Sequence, residues 1–409
     1  MKVLLIGSGA REHALGWKIA SSPRVRELIS LPGNPGLAEL GSTVEGISLT
    51  DIGAVAAMAQ IQNVDLVVVG PEAPLAAGIV DVLARLGIPV FGPTRAAARL
   101  EASKTYAKTV MARAGVPTAG SASFTDPAQA VAHLGRMVGP YVVKADGLAA
   151  GKGVLVTGSQ SDAITWAKAC FDGRFGEAGS SVLIEEYLEG PEVSVFAACT
   201  PAGATAFSPA RDYKRLLDGD DGPNTGGMGA FSPIPDLPDG FAESVMDTVV
   251  EPTRALMAEE GVPFNGFLYA GLVLTAEGPK VLEFNVRLGD PETQAVIPRL
   301  SNDLIDVLEG SEPEWSPQAA VNVVLAAPGY PGGPEIGAKV KGLRDVPDDV
   351  LIFQGGTRSE GKKLFVDGGR VLSVVGRGAT IAEARERAFL GVDAISWPGM
   401  QMRTDIALV

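Results

Sequence analysis

The stretch Lys2-Val3-Leu4-Leu5-Ile6-Gly7-Ser8-Gly9-Ala10-Arg11-Glu12 sets the reading of the fold. Residues 3–6 form an unbroken apolar run. It is too short for a helix or a signal peptide and reads as a strand buried on both faces. Gly7-Ser8-Gly9 turns the chain, and residues 12–20 are helical in pattern. The same alternation then recurs. A strand at 27–31 runs into the turn Pro32-Gly33-Asn34-Pro35-Gly36, and Asp51 can cap a helix to about residue 60. A strand at 65–69, a helix at 74–86 and a strand at 89–91 follow. Strands of buried type alternating with helices predict an open parallel α/β sheet. Ligands on such sheets gather at the carboxyl ends of the strands. Those ends are Gly7-Ser8-Gly9, Gly33-Asn34-Pro35-Gly36 and Gly70-Pro71-Glu72.

Further on, the pattern changes twice. From about residue 118 come a strand at 141–145, a glycine loop at 147–153, a strand at 154–157, a helix near 161–171 and a strand at 181–185. Residues 209–240 are rich in Gly, Pro and Asp and read as one long loop of the functional kind. Residues 241–260 look helical, and strands at 267–275 and 280–285 flank the turn Glu277-Gly278. From about 321, short strands, glycine turns and a helix at 380–390 suggest a smaller α+β unit. The expected division is 1–102, 103–320 with a subdomain at about 118–188, and 321–409.

Composition bounds the chemistry. A chain of 409 residues holds two to three domains. With 46% apolar and 20% charged residues it folds into globular units. Its 34 Lys and Arg against 48 Asp and Glu leave a formal charge of −14, which disfavours nucleic acid and anionic membranes as partners. Two cysteines, Cys170 and Cys199, cannot staple such a chain and read as buried thiols of a reducing compartment. Two histidines, His13 and His133, leave no basis for a histidine-ligated zinc centre, so a divalent ion must rest on Asp, Glu or Asn oxygens, as magnesium or manganese does. No stretch approaches a membrane span, and the expected location is the cytoplasm.

Four constellations carry chemistry. Gly7-Ser8-Gly9 before a helix resembles half of a dinucleotide fingerprint, but Glu12 stands where the third glycine belongs. What survives is a glycine turn and helix start that can cradle a phosphate or sugar, or simply turn the chain tightly. Lys144-Ala145-Asp146-Gly147-Leu148-Ala149-Ala150-Gly151-Lys152-Gly153 delivers a lysine from a strand into a small-residue loop. The spacing is not that of a Walker A loop, yet it can fold over phosphates as a lid. Ile184-Glu185-Glu186-Tyr187-Leu188 with Glu192 offers an apolar edge for a purine ring and a carboxylate for a ribose, or an ordinary strand end. Glu283-Phe284-Asn285-Val286-Arg287 puts Glu283, Asn285 and Arg287 on one strand face. Glu283 and Asn285 there suit a hard cation and Arg287 an anionic substrate, whereas Phe284 points into the packing layer.

Together these segments closely resemble the phosphoribosylamine–glycine ligase family (glycinamide ribonucleotide synthetases), which belongs to the ATP-grasp enzymes. The resemblance covers essentially the whole chain. Its most specific runs are Asp218-Gly219-Asp220-Asp221-Gly222-Pro223-Asn224-Thr225-Gly226-Gly227-Met228-Gly229-Ala230 and Gly289-Asp290-Pro291-Glu292-Thr293-Gln294. It implies central ATP-grasp domains with a glycine-rich lid between the N-terminal parallel sheet domain and the small C-terminal domain. It implies ATP and Mg2+ or Mn2+ as cofactors. It also implies that glycine becomes glycyl phosphate and is then joined to 5-phosphoribosylamine in purine biosynthesis. Arg287, Lys214, Asp212 and Asn224 are then expected to serve catalysis. ATP falls to Lys104, Lys144, Gly147, Gly151, Lys152, Gly153, Glu185, Glu186, Leu188 and Glu192, and the metal to Glu283 and Asn285. Gly9, Arg11, Glu12, Pro71, Glu72 and Asp290, with Asp212, Lys214 and Arg287, are expected at the substrates. A monomer is expected, and a transient contact with the upstream amidotransferase stays open.

Two positions depart from the family pattern: Ala10 replaces a glycine, and Gln354-Gly355-Gly356-Thr357 replaces His-Ala-Gly-Thr. The rival readings are another ATP-grasp carboxylate–amine ligase or carboxylase, and an NAD-dependent dehydrogenase resting on the Gly7/Gly9 turn alone. No Ser-His-Asp set or activated cysteine suggests a protein-bound acyl group.

Overall fold

A computed structural model describes residues 1–148 and 153–408. The opening sheet is parallel, in the order Ser42–Thr43, Glu27–Pro32, Lys2–Gly7, Leu66–Val69, Val90–Phe91. Its strands are apolar on both faces because both are covered. Leu4, Ile6, Ile29, Leu31, Val67 and Val69 enter one core, and Val3, Leu5, Leu28 and Val68 enter another with Leu15 and Ile19 of helix Ala10–Ala20. The order of strands reverses between Lys2–Gly7 and Leu66–Val69. The crevice at that reversal is where such sheets bind ligands. Asp51 caps its helix as expected, accepting from the Ala54 N–H at 3.1 Å. The single helix expected at 74–86 is two, Glu72–Ala77 and Ile79–Arg85, because Gly78 takes a left-handed conformation (φ +93°) between them.

Two antiparallel sheets of four strands follow. The first runs Ser121–Phe124, Val182–Glu186, Tyr141–Ala145, Val154–Thr157. Helices Pro127–Leu134 and Gln160–Ala169 cover its back. The second runs Gly203–Ala206, Glu192–Thr200, Gly266–Thr275, Gly278–Asn285. The helical stretch expected at 241–260 is interrupted by a wider turn, Met246–Val250, just before Pro252. A proline cannot donate to the helical ladder, and the wider turn absorbs the missing bond.

The last sheet runs Arg211–Asp212, Gly229–Ser232, Ala319–Ala326, Arg370–Gly378, Leu351–Gln354, with helix Ile381–Ala394 packed on it. Residues 209–240 are thus not one loop. They supply two strands to this sheet, the edge strand Arg211–Asp212 and its inner neighbour Gly229–Ser232, and a hairpin, Arg215–Leu217 with Asp221–Asn224, closed by Asp218-Gly219-Asp220. Of these short strands, Gly229–Ser232 pairs with Ala319–Ala326 about ninety positions away, a partnership that local sequence periodicity does not carry. Among the described residues no helix is long and apolar enough to cross a membrane.

Candidate active site

Between the two antiparallel sheets lies a cavity of about 490 Å³, reached also by the carboxyl end of the parallel sheet. Strand alternation builds its roof. Val143, Ala145, Val182 and Ile184 pack on the helices behind, so Lys144 and Glu185 face the cavity. Lys144 Nζ sits 2.6 Å from Glu185 Oε2, and Lys108 Nζ 2.8 Å from Glu185 Oε1, all three residues being buried. Lys104 lines the same wall and donates to the Gly147 carbonyl at 3.0 Å. Burial pulls Lys104 and Lys108 below the usual ammonium range, against Glu283 and Glu185 respectively. These cations stand in a poorly hydrated site, where an arriving anion is strongly attracted.

On the floor, the pairing of Gly266–Thr275 with Gly278–Asn285 slips by one residue. Gly271 pairs with Glu283 and Leu272 with Val281, leaving Leu282 as the extra residue of a bulge. Leu282, Glu283 and Asn285 all line the cavity, and the Leu282 carbonyl accepts from Lys144 Nζ at 3.3 Å. Phe284 is 2% exposed and joins the large core, as expected from its place on the strand. Among the described residues no three Asp, Glu, His or Cys side chains come together as a metal cage. Glu283 and Asn285 nevertheless offer hard oxygens two residues apart, and carboxylates outnumber cationic side chains on the described walls. A magnesium-like ion that takes its remaining ligands from phosphates and water fits that donor set.

Beside them, Asp212 and Lys214 project from the segment entering the hairpin. Lys214 Nζ bridges Glu192 Oε2 at 2.6 Å and Asp212 Oδ1 at 2.9 Å. Burial opposes its charge, yet the two carboxylates hold it well above the ordinary lysine range. Glu292, 4% exposed, accepts from Ser194 Oγ at 3.1 Å, and that hydroxyl meets Tyr269 OH at 3.0 Å. Burial, and then the charge of Asp212, push the Glu292 carboxyl up to about 7.

Where the cavity meets the parallel sheet, Arg287 is held by Glu101 at 2.7 Å and Glu72 at 3.3 Å. Burial favours the protonated form of Glu72, but Arg287 and Arg11 outweigh it and keep Glu72 below its usual value. Arg287 is therefore not the free cation its strand position suggested. Glu12 lies off the cavity wall. Its Oε2 accepts from the Gly9 N–H at 2.6 Å and its Oε1 from Arg11 Nε at 2.6 Å. Its side chain fills the crevice between Gly7 and Gly70, where an added Cβ would come within 2.3 Å of it. A dinucleotide pyrophosphate has no room there, which removes the dehydrogenase reading. Gly9 instead lines a second cavity of about 250 Å³ with Ser8, Ala10, Asp290 and Arg370. Asp290 pairs with Arg370 at 3.1 Å and accepts from Gln294 at 2.8 Å, so it caps no helix.

The one cavity thus gathers Lys104, Lys144, Gly147, Gly153, Glu185, Glu186, Leu188, Glu192, Asp212, Lys214, Asn224, Glu283, Asn285, Arg287, Asp290, Arg11 and Glu72. Gly151 and Lys152 lie outside the described residues. Glu185 and Glu192 are on the wall, but lysines already hold both carboxylates. Pro71 is absent from the wall; it precedes helix Glu72–Ala77 and sets the position of Glu72. Glu101, Glu292, Tyr269 and Arg370 were not anticipated. Glu101 sits in an unremarkable four-residue helix, Arg99–Ala102. Arg370 is isolated, and no local pattern distinguishes either. Gln354 turns inward: its Oε1 accepts from Thr357 Oγ1 at 3.0 Å, and its backbone N–H donates to His13 Nδ1 at 2.8 Å.

Two facing antiparallel sheets over a lysine-lined, carboxylate-rich cavity, joined to an open parallel sheet domain, define an ATP-grasp enzyme. Family profiles for phosphoribosylglycinamide synthetase match almost end to end: the N domain at residues 1–101, the ATP-grasp (A) domain at 102–293 and the C domain at 320–409. The chain belongs to the phosphoribosylglycinamide synthetase family. It is 48% identical over 415 residues to a phosphoribosylamine–glycine ligase of Mesorhizobium japonicum, covering 99% of this chain and 97% of that one. It is 48% identical over 420 residues to the enzyme of that name from Streptomyces coelicolor, covering 100% and 99%. A crystal structure of the Thermotoga maritima phosphoribosylamine–glycine ligase superposes with a TM-score of 0.87 at 34% identity, covering 99% of this chain and 100% of that one. A biotin carboxylase from Campylobacter jejuni shares the fold at a TM-score of 0.74 and 15% identity, covering 98% and 92%.

Proposed function

We propose that this chain ligates glycine to 5-phosphoribosylamine, giving glycinamide ribonucleotide, ADP and phosphate in purine biosynthesis. The observation that carries the reading is a single cavity in which Lys104 and Lys144, the Glu283–Asn285 strand and the Arg11–Glu72 end of the parallel sheet meet. The family match over the whole chain supports it.

In this reading Lys104 and Lys144, with Gly147 and Gly153, hold the ATP phosphates, and Glu186 and Leu188 border the purine. Glu185 orients Lys144 and Lys108 rather than touching nucleotide. Glu192 reaches the ribose only by sharing its carboxylate with Lys214. Glu283 and Asn285 hold Mg2+ or Mn2+, which when bound offsets the charge of the phosphates. The glycine carboxylate attacks the terminal phosphorus, ADP leaves, and glycyl phosphate remains. The amine of phosphoribosylamine then attacks the acyl carbon, and phosphate leaves. Arg11, Glu72 and Asp290, with Gly9 in the neighbouring cavity, receive phosphoribosylamine. Arg287, fixed between Glu72 and Glu101, together with Lys214, Asp212 and Asn224, stands beside the reacting groups. The attacking amine must shed a proton, and Glu292, poised near neutrality, is suited to take it. The two unpaired, buried cysteines accord with a cytoplasmic setting. The test is ADP release with both substrates, compared with omission of each. Release that does not depend on phosphoribosylamine would remove this assignment.

A further inference from the structure

The segment that brings Asp212, Lys214 and Asn224 to the cavity is gripped from behind by the end of the chain. Asp212 and Lys214 line the cavity, and Tyr213 between them points the opposite way. There the Tyr213 ring meets the Arg403 guanidinium, 4.8 Å from centroid to carbon. Arg403 is 1% exposed, among the most completely buried large side chains of the molecule. Its Nη1 donates to Asp220 Oδ1 at 2.7 Å and to the Arg215 carbonyl at 3.3 Å. Its Nε and Nη2 take both oxygens of Asp405, at 2.7 and 2.6 Å. The neighbouring tail repeats the grip. The Thr404 N–H donates to Asp218 at 2.7 Å, the Gly219 N–H to Asp405 at 2.8 Å, and the Ala407 N–H to Tyr213 OH at 2.9 Å.

An arginine is an expensive side chain to bury, and burial persists only where each donor has a partner. Here Nε and Nη2 are satisfied by Asp405 on the tail, Nη1 reaches the Arg215 carbonyl and the hairpin tip at Asp220, and the guanidinium itself lies against the back of Tyr213. Backbone pairing holds the main chain itself: Arg211–Asp212 pairs with Gly229–Ser232, the Tyr213 N–H donates to the Gly229 carbonyl at 3.0 Å and the Thr225 N–H to the Lys214 carbonyl at 2.7 Å, so what the tail adds is a hold on the Tyr213 ring and on the hairpin tip. We infer that Arg403 is a positioning residue for the ligation: through Tyr213 and the hairpin it sets where Lys214 and Asn224 stand in the cavity. The inference rests on the proposed role of Lys214. It goes further by making the C-terminal tail the back wall of the active site, far in sequence from the residues it serves.

A misplacement of about 1 Å in a reacting constellation can lower turnover by about 10²-fold. Arg403→Met is expected to lower kcat by about 10–100-fold on that basis. The KM for ATP should stay within about threefold, because Lys104 and Lys144 lie on other elements. Arg403→Lys, which keeps one charge, should recover part of kcat. The decisive measurement is a double-mutant cycle with Lys214→Arg, made on protein whose folded fraction is measured by thermal melting. If Arg403 acts through Lys214, the double variant turns over about as fast as K214R alone. Independent multiplication of the two losses, or a kcat that simply follows the folded fraction, would overturn the inference. Should R403M not fold, R403K enters the same cycle with the same criteria. If K214R itself leaves turnover unchanged, the role of Lys214 fails first. If K214R is impaired and R403M is not, only the tail's role fails.

Discussion

Glu185→Gln should destabilise the protein by about 3–5 kcal/mol, the range for breaking a buried charge cluster by removing one partner. The structure limits the loss to one such event. Glu185 is 1% exposed and neutralises both Lys144, at 3% exposure, and Lys108, at 8%. Lys108 keeps two other acceptors after the substitution, Thr118 Oγ1 at 2.7 Å and the Ala119 carbonyl at 3.2 Å. Among the described residues Lys144 keeps only the Leu282 carbonyl at 3.3 Å. Lys144 is thus the ammonium left stranded, and nucleotide phosphates are its natural replacement counter-ion. Urea unfolding followed by the fluorescence of Trp166, on helix Gln160–Ala169 behind the roof, reports this sheet. ADP at 100 times its dissociation constant stabilises any binding-competent protein by about 2.7 kcal/mol. In E185Q the ADP increment should exceed the wild-type increment at equal free ADP. Lys144→Met should show the reverse, a smaller loss of stability and weakened ADP binding. An E185Q variant within about 1 kcal/mol of wild type, well below the range for a broken buried pair, would refute the reasoning. So would equal ADP increments in the two proteins.

Glu283→Gln should leave the melting temperature unchanged and strongly lower turnover, with a raised magnesium requirement, whereas Phe284→Ala should lower stability by about 3–5 kcal/mol without altering metal dependence. Melting alongside a magnesium titration of ADP formation checks both, and an exchange of the two phenotypes would mean the strand faces are reversed. Glu292 titrates near 7 in the fold against an ordinary carboxyl value of 4.5. The folded state therefore binds its proton more tightly than the unfolded state, and this contribution is lost as pH rises from about 4.5 to about 7. Glu292→Gln should remove up to about 3 kcal/mol of that decline, so E292Q gains on wild type at pH 8 relative to pH 5. Urea titrations at the two pH values decide it, and identical differences at both would count against a raised Glu292.

Much of the cavity was legible because period-two alternation survives translation into space. Lys144 on its strand faces the cavity, and Phe284 is buried in the core between the half-buried Glu283 and Asn285, as their spacing predicts, although Phe284 also borders the cavity. The bulge at Leu282 was not legible, since a bulge depends on the neighbouring strand and not on the residues that form it. Charge pairing was hidden for the same reason. Arg287 looked free because its partners, Glu72 and Glu101, lie some two hundred residues earlier in the chain. Glu12 was correctly out of place as a glycine substitute, but that it fills the crevice follows only from the approach of Gly70 on the adjacent strand. The strands within 209–240 were missed because two- to four-residue strands have too few positions to show a period.

Those same strands impose an order of events on synthesis. Gly229–Ser232 is hydrogen-bonded to Ala319–Ala326, and nothing made earlier offers it that partner. At about 5–20 residues per second, a ribosome needs roughly 4–18 s to make the roughly 90 residues between them. During that interval the nascent chain carries a finished parallel sheet beside Gly229–Ser232, whose free edge bears Phe231 and Ser232 while its other side pairs with Arg211–Asp212. An unpaired edge is a template for the wrong strand. The charges near it, Arg211 together with Asp212 and Lys214, which come to line the cavity, then act as gatekeepers.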